Sequence, residues 1–162
     1  MISCCRILIQ NELCCFITML LISRLKSMCC FLTEMEDRSA AERLRLRWNE
    51  RLPVGAGLWN LGNTCFLNSV LQCLTYTPPL ANYILTGEHS NTCTPESCIT
   101  CSIQKHFTQV FANPGTVIIP VDMVSKLTLI GEQFCLGQQE DAHEFFSYTV
   151  SALEQSCLNR NM

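Results

Sequence analysis

The stretch GLWNLGNTCFLNSVLQCL, Gly57–Leu74, changes character at its middle. Its first half is small, polar and turn-prone. From Cys65 onward the apolar residues follow the i, i+3, i+4, i+7 spacing of a helix with one buried face, and they are Leu67, Val70, Leu71 and Leu74. Asn63 and Thr64 are candidate N-caps, and the sequence TPP at residues 77–79 is a stop signal. The sequence therefore predicts a buried helix that begins at Cys65.

The rest of the chain predicts more helices and little strand. Three further helices are predicted. The first is Leu80–Leu85, and the second ends at the NPG of residues 113–115 and is marked by Ile103, Phe107, Val110 and Phe111. The third begins at about Gln139 and has on its inner side Ala142, Phe145, Phe146, Thr149 and Leu153. The best strand candidate is TVIIPV, Thr116–Val121, and Pro120 makes it an edge strand. We therefore expect a mainly helical fold without an internal repeat.

Composition limits the classes of function. The 162 residues suffice for one domain, and the formal charge of -3 does not favour nucleic-acid binding. The thirteen cysteines are odd in number and include three adjacent pairs, which are awkward to bridge. This pattern fits a reduced, intracellular protein whose cysteines serve metal binding or catalysis.

Composition also divides the chain into three parts. Residues 1–35 form an apolar, cysteine-rich leader whose densest part, Leu13–Ile22, is shorter than the roughly 20 residues that span a bilayer. We expect this leader to be poorly structured, without a membrane partner. Residues 36–54 form a charged helix, capped at Ser39 and docked by Trp48, and a linker. Residues 55–162 form the functional domain.

Cys65 is the candidate nucleophile among the thirteen cysteines. A thiol attacks as the thiolate, and the unpaired N–H groups of a helix's first turn favour negative charge. Gly57 and Gly62 allow a tight backbone before it, and the Asn60 amide can donate to an oxyanion. Because a cysteine at a helix start is more often structural, these residues by themselves leave both roles open.

Two segments resemble signatures of the ubiquitin-specific proteases. Gly57–Leu74 resembles their cysteine box, Gly-Leu-x-Asn-x-Gly-x-Thr-Cys-[Phe/Tyr]-x-Asn-[Ser/Ala]-x-Leu-Gln, and GQQEDAHEFFSYTVSAL, residues 137–153, resembles their Gln-[Glu/Asp]-Asp-Ala-x-Glu-Phe helix. The resemblance runs from about Leu46 to Asn159 and is closest to the nuclear and nucleolar subgroup. It implies a truncated fragment: the N-terminal helical, thumb-like part of a papain-like α+β cysteine protease domain.

The resemblance also implies an activity and a site. Cys65 would be the nucleophile and Asn60 an oxyanion donor in cleavage of ubiquitin isopeptide bonds through a thioester-like acyl-enzyme, without a catalytic cofactor. Gln139, Asp141 and Glu144 would hold the basic tail of ubiquitin. The implied partners are ubiquitin and ubiquitinated proteins, in the nucleus, the nucleolus or the cytoplasm.

The family's catalytic histidine and its Asp/Asn partner lie far downstream, and this sequence reaches Met162 before either. We do not expect His89, His106 or His143 to replace that base. The sequence therefore predicts a deubiquitinase fragment that is weakly active or inactive and that exposes an apolar face. Two alternatives remain, a non-catalytic ubiquitin-binding fragment and a zinc-stabilised interaction fragment in which Cys65 is only structural.

A second cluster has the spacing of a metal site. The pattern H-x3-C-x4-C-x2-C-x4-H comprises His89, Cys93, Cys98, Cys101 and His106. Cys98 and Cys101 present two thiolates from one turn, and Cys93 with either histidine completes a tetrahedral set suited to zinc. We predict a structural zinc, and the alternative is a group of buried, reduced cysteines that caps a loop.

Overall fold

The computed structural model describes residues 48–91, 93 and 96–158. The helices are α1 (Cys65–Thr75), α2 (Pro78–Leu85), α3 (Ile99–Ala112), α4 (Val121–Val124), α5 (Leu127–Ile130) and α6 (Ala142–Leu158), and the strands are β1 (Gly57–Leu58) and β2 (Val117–Ile118). The mainly helical class is confirmed. The predicted leader and nearly all of the charged helix lie outside the described residues. Among the described helices, none is long and apolar enough to cross a membrane.

The core is built around α1. Its predicted inner face is fully buried, as Leu67, Val70, Leu71 and Leu74 have no exposed surface. This face packs against α6 and α2, while α3 packs against α2 and α6 on the other side of the core. The inner face holds α1 firmly and leaves only its N-terminal end, where Cys65 lies, at the surface.

An aromatic cluster joins α1, α6 and the loop between α5 and α6. The ring centroid of Phe66 lies 5.2 Å from that of Phe145 and 6.1 Å from that of Phe134. Phe134 and Phe145 are themselves in edge-to-face contact at 5.2 Å. Phe134 belongs to the loop and is fully buried, so its ring anchors the loop to the core beneath the start of α1.

The helix boundaries follow local chemistry. The TPP sequence ends α1 at Thr75, as predicted, and it also begins α2, because Pro78 occupies the first turn, where a missing N–H costs nothing. The predicted docking of Trp48 is confirmed by an edge-to-face contact with Phe111, with ring centroids 6.3 Å apart.

The predicted strand is confirmed at Val117–Ile118, and its partner was not predicted. β1 and β2 pair in parallel, with Gly57 opposite Val117 and Leu58 opposite Ile118. A two-residue strand shows no apolar alternation, so the sequence offers no signal for β1. The pair guides the chain from the linker towards Cys65, since Trp59 N–H also donates to Ile118 O at 2.9 Å.

At Gly55 the segment before β1 packs closely against α3. The N–H of Gly55 donates to the Tyr76 hydroxyl at 2.9 Å, and the next N–H, of Ala56, donates to Val110 O at 2.9 Å. A Cβ on Gly55 would clash with the side chain and the carbonyl oxygen of Val110. The sequence analysis did not single out this glycine, whereas the structure requires it for close packing on α3.

Replacing Gly55 with alanine should therefore destabilise the fold by roughly 1–3 kcal/mol, since overpacking forces the backbone apart. Thermal unfolding followed by circular dichroism measures the change. Gly57→Ala is the matched control, because a Cβ there meets its nearest atoms at 3.7 and 3.8 Å, which is ordinary contact. Equal loss of stability in the two variants would contradict the close approach at Gly55.

Candidate active site and metal cluster

Cys65 is the first residue of α1, and its thiol is exposed. The first helical hydrogen bond runs from Asn68 N–H to Thr64 O at 3.0 Å. The N–H groups of Cys65, Phe66 and Leu67 precede that bond and have no partner within the helix. Thr64 is the N-cap, as predicted, but its side chain makes no capping hydrogen bond. The positive end of α1 is therefore open next to the thiol, which suits it to stabilise negative charge.

The Thr64 hydroxyl is drawn back into the preceding loop. It accepts a hydrogen bond from Leu61 N–H at 3.0 Å and donates to Asn60 Oδ1 at 3.2 Å. Asn60 Oδ1 also accepts from the N–H groups of Gly62 and Thr64, at 3.0 and 3.2 Å. Because these backbone donors need an acceptor, the amide oxygen faces the loop. The two N–H groups of Asn60 Nδ2 therefore face away from the loop and are available to a ligand.

The loop before Cys65 contains two consecutive left-handed residues. Gly62 has a φ of 96° and Asn63 a φ of 57°, conformations that glycine and asparagine tolerate best. The predicted tight turn is thus confirmed at Gly62, whereas Gly57 lies in β1. Asn63 Nδ2 donates to Gly137 O at 2.9 Å, which places the start of the second signature beside the cysteine loop.

Two residues that support the site were missed in the sequence. Asn68 and Gln72 are buried on α1. Asn68 Nδ2 donates to Trp59 O at 3.1 Å, and Gln72 Nε2 donates to Ala56 O at 3.2 Å. These two hydrogen bonds hold residues 56–59, which precede the cysteine loop, against α1. Two amides spaced i, i+4 on a helix with a strong apolar stripe were the signal that could have revealed them.

The second signature begins its helix later than predicted. Asp141 lies before α6, and its Oδ1 accepts hydrogen bonds from the N–H groups of His143 at 2.7 Å and Glu144 at 3.0 Å. The expected helix start at Gln139 is therefore wrong, because the Asp141 carboxylate caps the helix at Ala142. Asp141 therefore lies at the N-cap of α6, and Glu144 lies in its first turn. Both are exposed, as is Gln139.

The hydrogen bonds from Glu144 N–H and then His143 N–H hold the pKa of Asp141 below its ordinary value of 3.8. The remaining contact of Glu144 is its Oε1, which accepts from Gln133 Nε2 at 3.4 Å. The acidic groups of the second signature are thus held in place by the start of α6 and remain open to solvent.

No histidine is hydrogen-bonded to Cys65 within the residues that the structure describes. His143 lies exposed at the start of α6, whereas His89 and His106 are buried elsewhere. The site therefore presents an exposed thiol and amide donors, and no described histidine lies within hydrogen-bond reach of that thiol.

The second cluster forms as predicted, with four of its five members. The ligand atoms of His89, Cys93, Cys98 and Cys101 all lie within 4.8 Å of one another, and His89 Nε2 is 3.1 Å from Cys98 Sγ. A zinc–sulfur bond of about 2.3 Å gives a tetrahedron with edges of about 3.8 Å. One imidazole and three thiols at these separations therefore fit a single metal ion.

His106 does not belong to this cluster, which corrects the prediction that either histidine could complete it. It follows Cys101 by five residues, so the two side chains point about 140° apart around α3. His106 is buried, and neither ring nitrogen has a hydrogen-bond partner. Burial lowers its pKa to about 4, and the negative charge of Asp122 opposes that shift. His106 is therefore a neutral core residue.

The thiols of the cluster have opposite tendencies. Burial, and then the neighbouring Cys93 and Cys98 thiols, raise the pKa of Cys101 to about 12. Burial also raises the pKa of Cys98, but hydrogen bonds from Cys101 N–H, from the Cys93 and Cys101 thiols and from Thr100 N–H more than offset it. One thiolate is thus favoured and a second is opposed, a conflict that a bound cation resolves.

The fold and the exposed cysteine at the start of its central helix define the class: this is the helical part of a papain-like cysteine protease domain. A family model described as ubiquitin carboxyl-terminal hydrolase matches residues 56–161. The chain therefore belongs to the ubiquitin carboxyl-terminal hydrolase family of cysteine proteases.

Human relatives support this assignment. Ubiquitin carboxyl-terminal hydrolase 42 is 54% identical over 120 residues, which are 74% of this chain and 9% of that protein. Ubiquitin carboxyl-terminal hydrolase 17-like protein 23 is 52% identical over 124 residues, which are 75% of this chain and 64% of that relative. The inactive 17-like protein 8 is also 52% identical over 124 residues, or 75% of this chain and 22% of the relative. The chain thus spans less than two thirds of each.

Solved structures share the fold. The SAGA Ubp8/Sgf11/Sus1/Sgf73 DUB module bound to ubiquitin aldehyde aligns with a TM-score of 0.57 and 25% identity, over 74% of this chain and 28% of the other. The module with a Ubp8 variant bound to monoubiquitin aligns with a TM-score of 0.55 and 26% identity, over 65% of this chain and 25% of the other.

The cap at Asp141 predicts a pH dependence. Because its pKa is lower in the folded chain than its ordinary 3.8, its charge stabilises the fold above pH 3.8, and that contribution is lost as the pH falls through the folded value. Asp141→Asn should therefore lower the melting temperature at neutral pH, and the difference from wild type should shrink below pH 3.8.

Glu140→Gln is the matched control for this experiment, because it removes the neighbouring carboxylate without touching the two capping hydrogen bonds. Thermal unfolding at several pH values measures both variants. A difference between wild type and Asp141→Asn that stays constant with pH would contradict the proposed role of the charge.

Proposed function

We propose that this chain carries the nucleophilic part of a cysteine-type deubiquitinase, which hydrolyses ubiquitin isopeptide bonds. The observation that supports the proposal most strongly is the open start of α1. The exposed Cys65 lies there beside N–H groups that the side chain of the N-cap, Thr64, leaves uncapped, and such donors favour an oxyanion.

In this mechanism the Cys65 thiolate attacks the carbonyl carbon of the C-terminal glycine of ubiquitin, which forms the isopeptide bond. The Asn60 amide, whose oxygen is occupied by the loop, would donate an N–H to the oxyanion, together with N–H groups at the start of α1. Loss of the amine leaves a thioester, which water then hydrolyses. Proton transfer needs a base. Since no described histidine is hydrogen-bonded to Cys65, we expect this chain by itself to hydrolyse slowly or not at all.

Ubiquitin is the proposed partner. Gln139, Asp141 and Glu144 are exposed, and the Asn63–Gly137 hydrogen bond holds their segment next to the cysteine loop. Two carboxylates here suit a basic peptide tail that leads to the thiol. Two SAGA modules that share the fold are described as bound to monoubiquitin and to ubiquitin aldehyde, which supports ubiquitin as the partner.

A non-catalytic ubiquitin-binding fragment is the rival proposal. The described site has no base next to Cys65, and one relative over the same region is named inactive. Both proposals keep the ubiquitin-binding segment, and they differ in the reactivity of the thiol. A probe that binds as ubiquitin and reacts only with an activated thiol separates them.

Ubiquitin with a C-terminal electrophile should label wild type at neutral pH, and intact mass measures the adduct. Cys65→Ala should abolish labelling, while Cys135→Ser, which removes another exposed thiol, should not. Glu144→Gln should slow labelling about 2–5-fold, as expected for an exposed charge pair. Binding of ubiquitin without any labelling would favour the non-catalytic fragment.

We also propose a structural zinc held by His89, Cys93, Cys98 and Cys101. Four protein ligands close the coordination sphere, so the ion would have no open position for catalysis. It would join the polar segment after α2 to the start of α3. The donor set and its separations support zinc, and the high pKa of Cys101 indicates that the thiols need a cation to ionise together.

Metal analysis of the purified, reduced chain should give about one zinc per chain. His89→Leu should lose most of the zinc, whereas the matched His106→Leu should keep it, because His106 lies in the core away from the cluster. Chelation should lower the melting temperature of wild type. Equal zinc content in the two histidine variants would contradict the assignment.

We further propose an intracellular location, in the nucleus or the cytoplasm. The exposed thiols of Cys65 and Cys135 and the proposed zinc thiolates are typical of proteins in reducing compartments.

A further inference from the structure

Two segments run side by side at the start of α1. Asn63 Nδ2 donates to Gly137 O at 2.9 Å. Three residues later along the first segment, the ring of Phe66 stacks on that of Phe134, with centroids 6.1 Å apart and 23° between the planes. The contact residues advance along one segment and retreat along the other, so the two segments run in opposite directions.

This register sets Cys65 opposite Cys135. Cys65 precedes Phe66 by one residue, and Cys135 follows Phe134 by one residue. Both phenylalanine rings are buried, and both cysteines are exposed. Both cysteines are therefore exposed neighbours of residues that join the two segments.

No other described pair of cysteines has these properties. Of the cysteines whose side chains are described, only Cys65 and Cys135 are exposed. Cys73 is buried in α1, and the remaining three, Cys93, Cys98 and Cys101, belong to the metal cluster. Among the described thiols, Cys135 is therefore the candidate partner for Cys65.

We propose that Cys135 is a resolving thiol, which forms a reversible disulfide with Cys65 when the chain meets hydrogen peroxide. A disulfide needs Cα atoms within about 7 Å. Residues 135–140 contain no helix or strand, so their backbone can make the adjustment that the bond requires. The disulfide would protect Cys65 from irreversible oxidation and prevent its attack on a carbonyl.

The chemistry balances in two steps. The Cys65 thiolate attacks peroxide, so that an S–O bond forms, the O–O bond breaks and hydroxide leaves, which takes up a proton to become water. The Cys135 thiolate then attacks the sulfenyl sulfur, so that the S–S bond forms and a second water leaves. Two thiols and one peroxide give one disulfide and two waters, and a dithiol reductant reverses the reaction.

This inference rests on the reactive thiol of the proposed function, and the test separates the two. The full chain is treated with hydrogen peroxide, blocked with an alkylating agent and digested without reductant, and the peptides are identified by mass spectrometry. Wild type should give a linked peptide of Cys65 and Cys135 that is two hydrogens lighter than the sum of its parts. Dithiothreitol should remove it.

Cys135→Ser should stop the reaction at the sulfenic acid, so dimedone should trap Cys65 several-fold more in this variant than in wild type. Cys157→Ser, which removes a thiol elsewhere in the chain, should behave as wild type. Equal dimedone labelling in wild type and Cys135→Ser, without a linked peptide, would overturn the inference.

Iodoacetamide alkylation of Cys65 at neutral pH distinguishes a failure of the resolving role of Cys135 from a failure of the reactive thiol at Cys65. Rapid alkylation without a disulfide would overturn the resolving role of Cys135 alone. Absence of both alkylation and oxidation at Cys65 would overturn the reactive thiol as well, and with it the proposed function.

Discussion

The site depends on the hydrogen bonds that Asn60 Oδ1 accepts from the loop after it. A threonine at an N-cap ordinarily turns its hydroxyl onto the N–H groups of its own helix. Here the Thr64 hydroxyl donates to Asn60, so those N–H groups stay open beside Cys65. A residue marked in the sequence as an oxyanion donor thus also shapes the loop. The same amide can serve both purposes because its oxygen faces the loop and its nitrogen faces outward.

The regular parts of the fold were predictable because periodicity reports burial directly. The four apolar residues of α1 and most of the predicted inner positions of α3 and α6 are buried as their spacing indicated, whereas Phe111 and Ala142 are only half-buried. The supports of the site were less predictable, because they act through single long-range contacts. The need for glycine at position 55 arises from α3, more than 50 residues further along the chain, and the buried amides of Asn68 and Gln72 acquire meaning only when β1 lies beside α1.

In the candidate metal cluster, the position of one residue, His106, could likewise not be predicted from the sequence. The spacing of its cysteines identified the cluster, but both histidines stood within five residues of a cysteine. Only the rotation of α3 places His106 in the core and leaves His89 with the thiols. At the second signature, the sequence pattern suggested a helix that begins at about Gln139. The competition between capping and helix extension put Asp141 outside the helix instead.

The buried ring of Phe134 also determines how the loop between α5 and α6 can move. Swinging the whole loop outward would expose that ring at a cost of about 1.5–3 kcal/mol, which keeps such a state at roughly 1–10% of the population. At its other end the loop is tied to α6 by the Asp141 cap. Motion is therefore concentrated in the short span between these two attachments. The loop is thus attached at both ends near the start of α1, and it can change conformation next to the thiol without exposing the core.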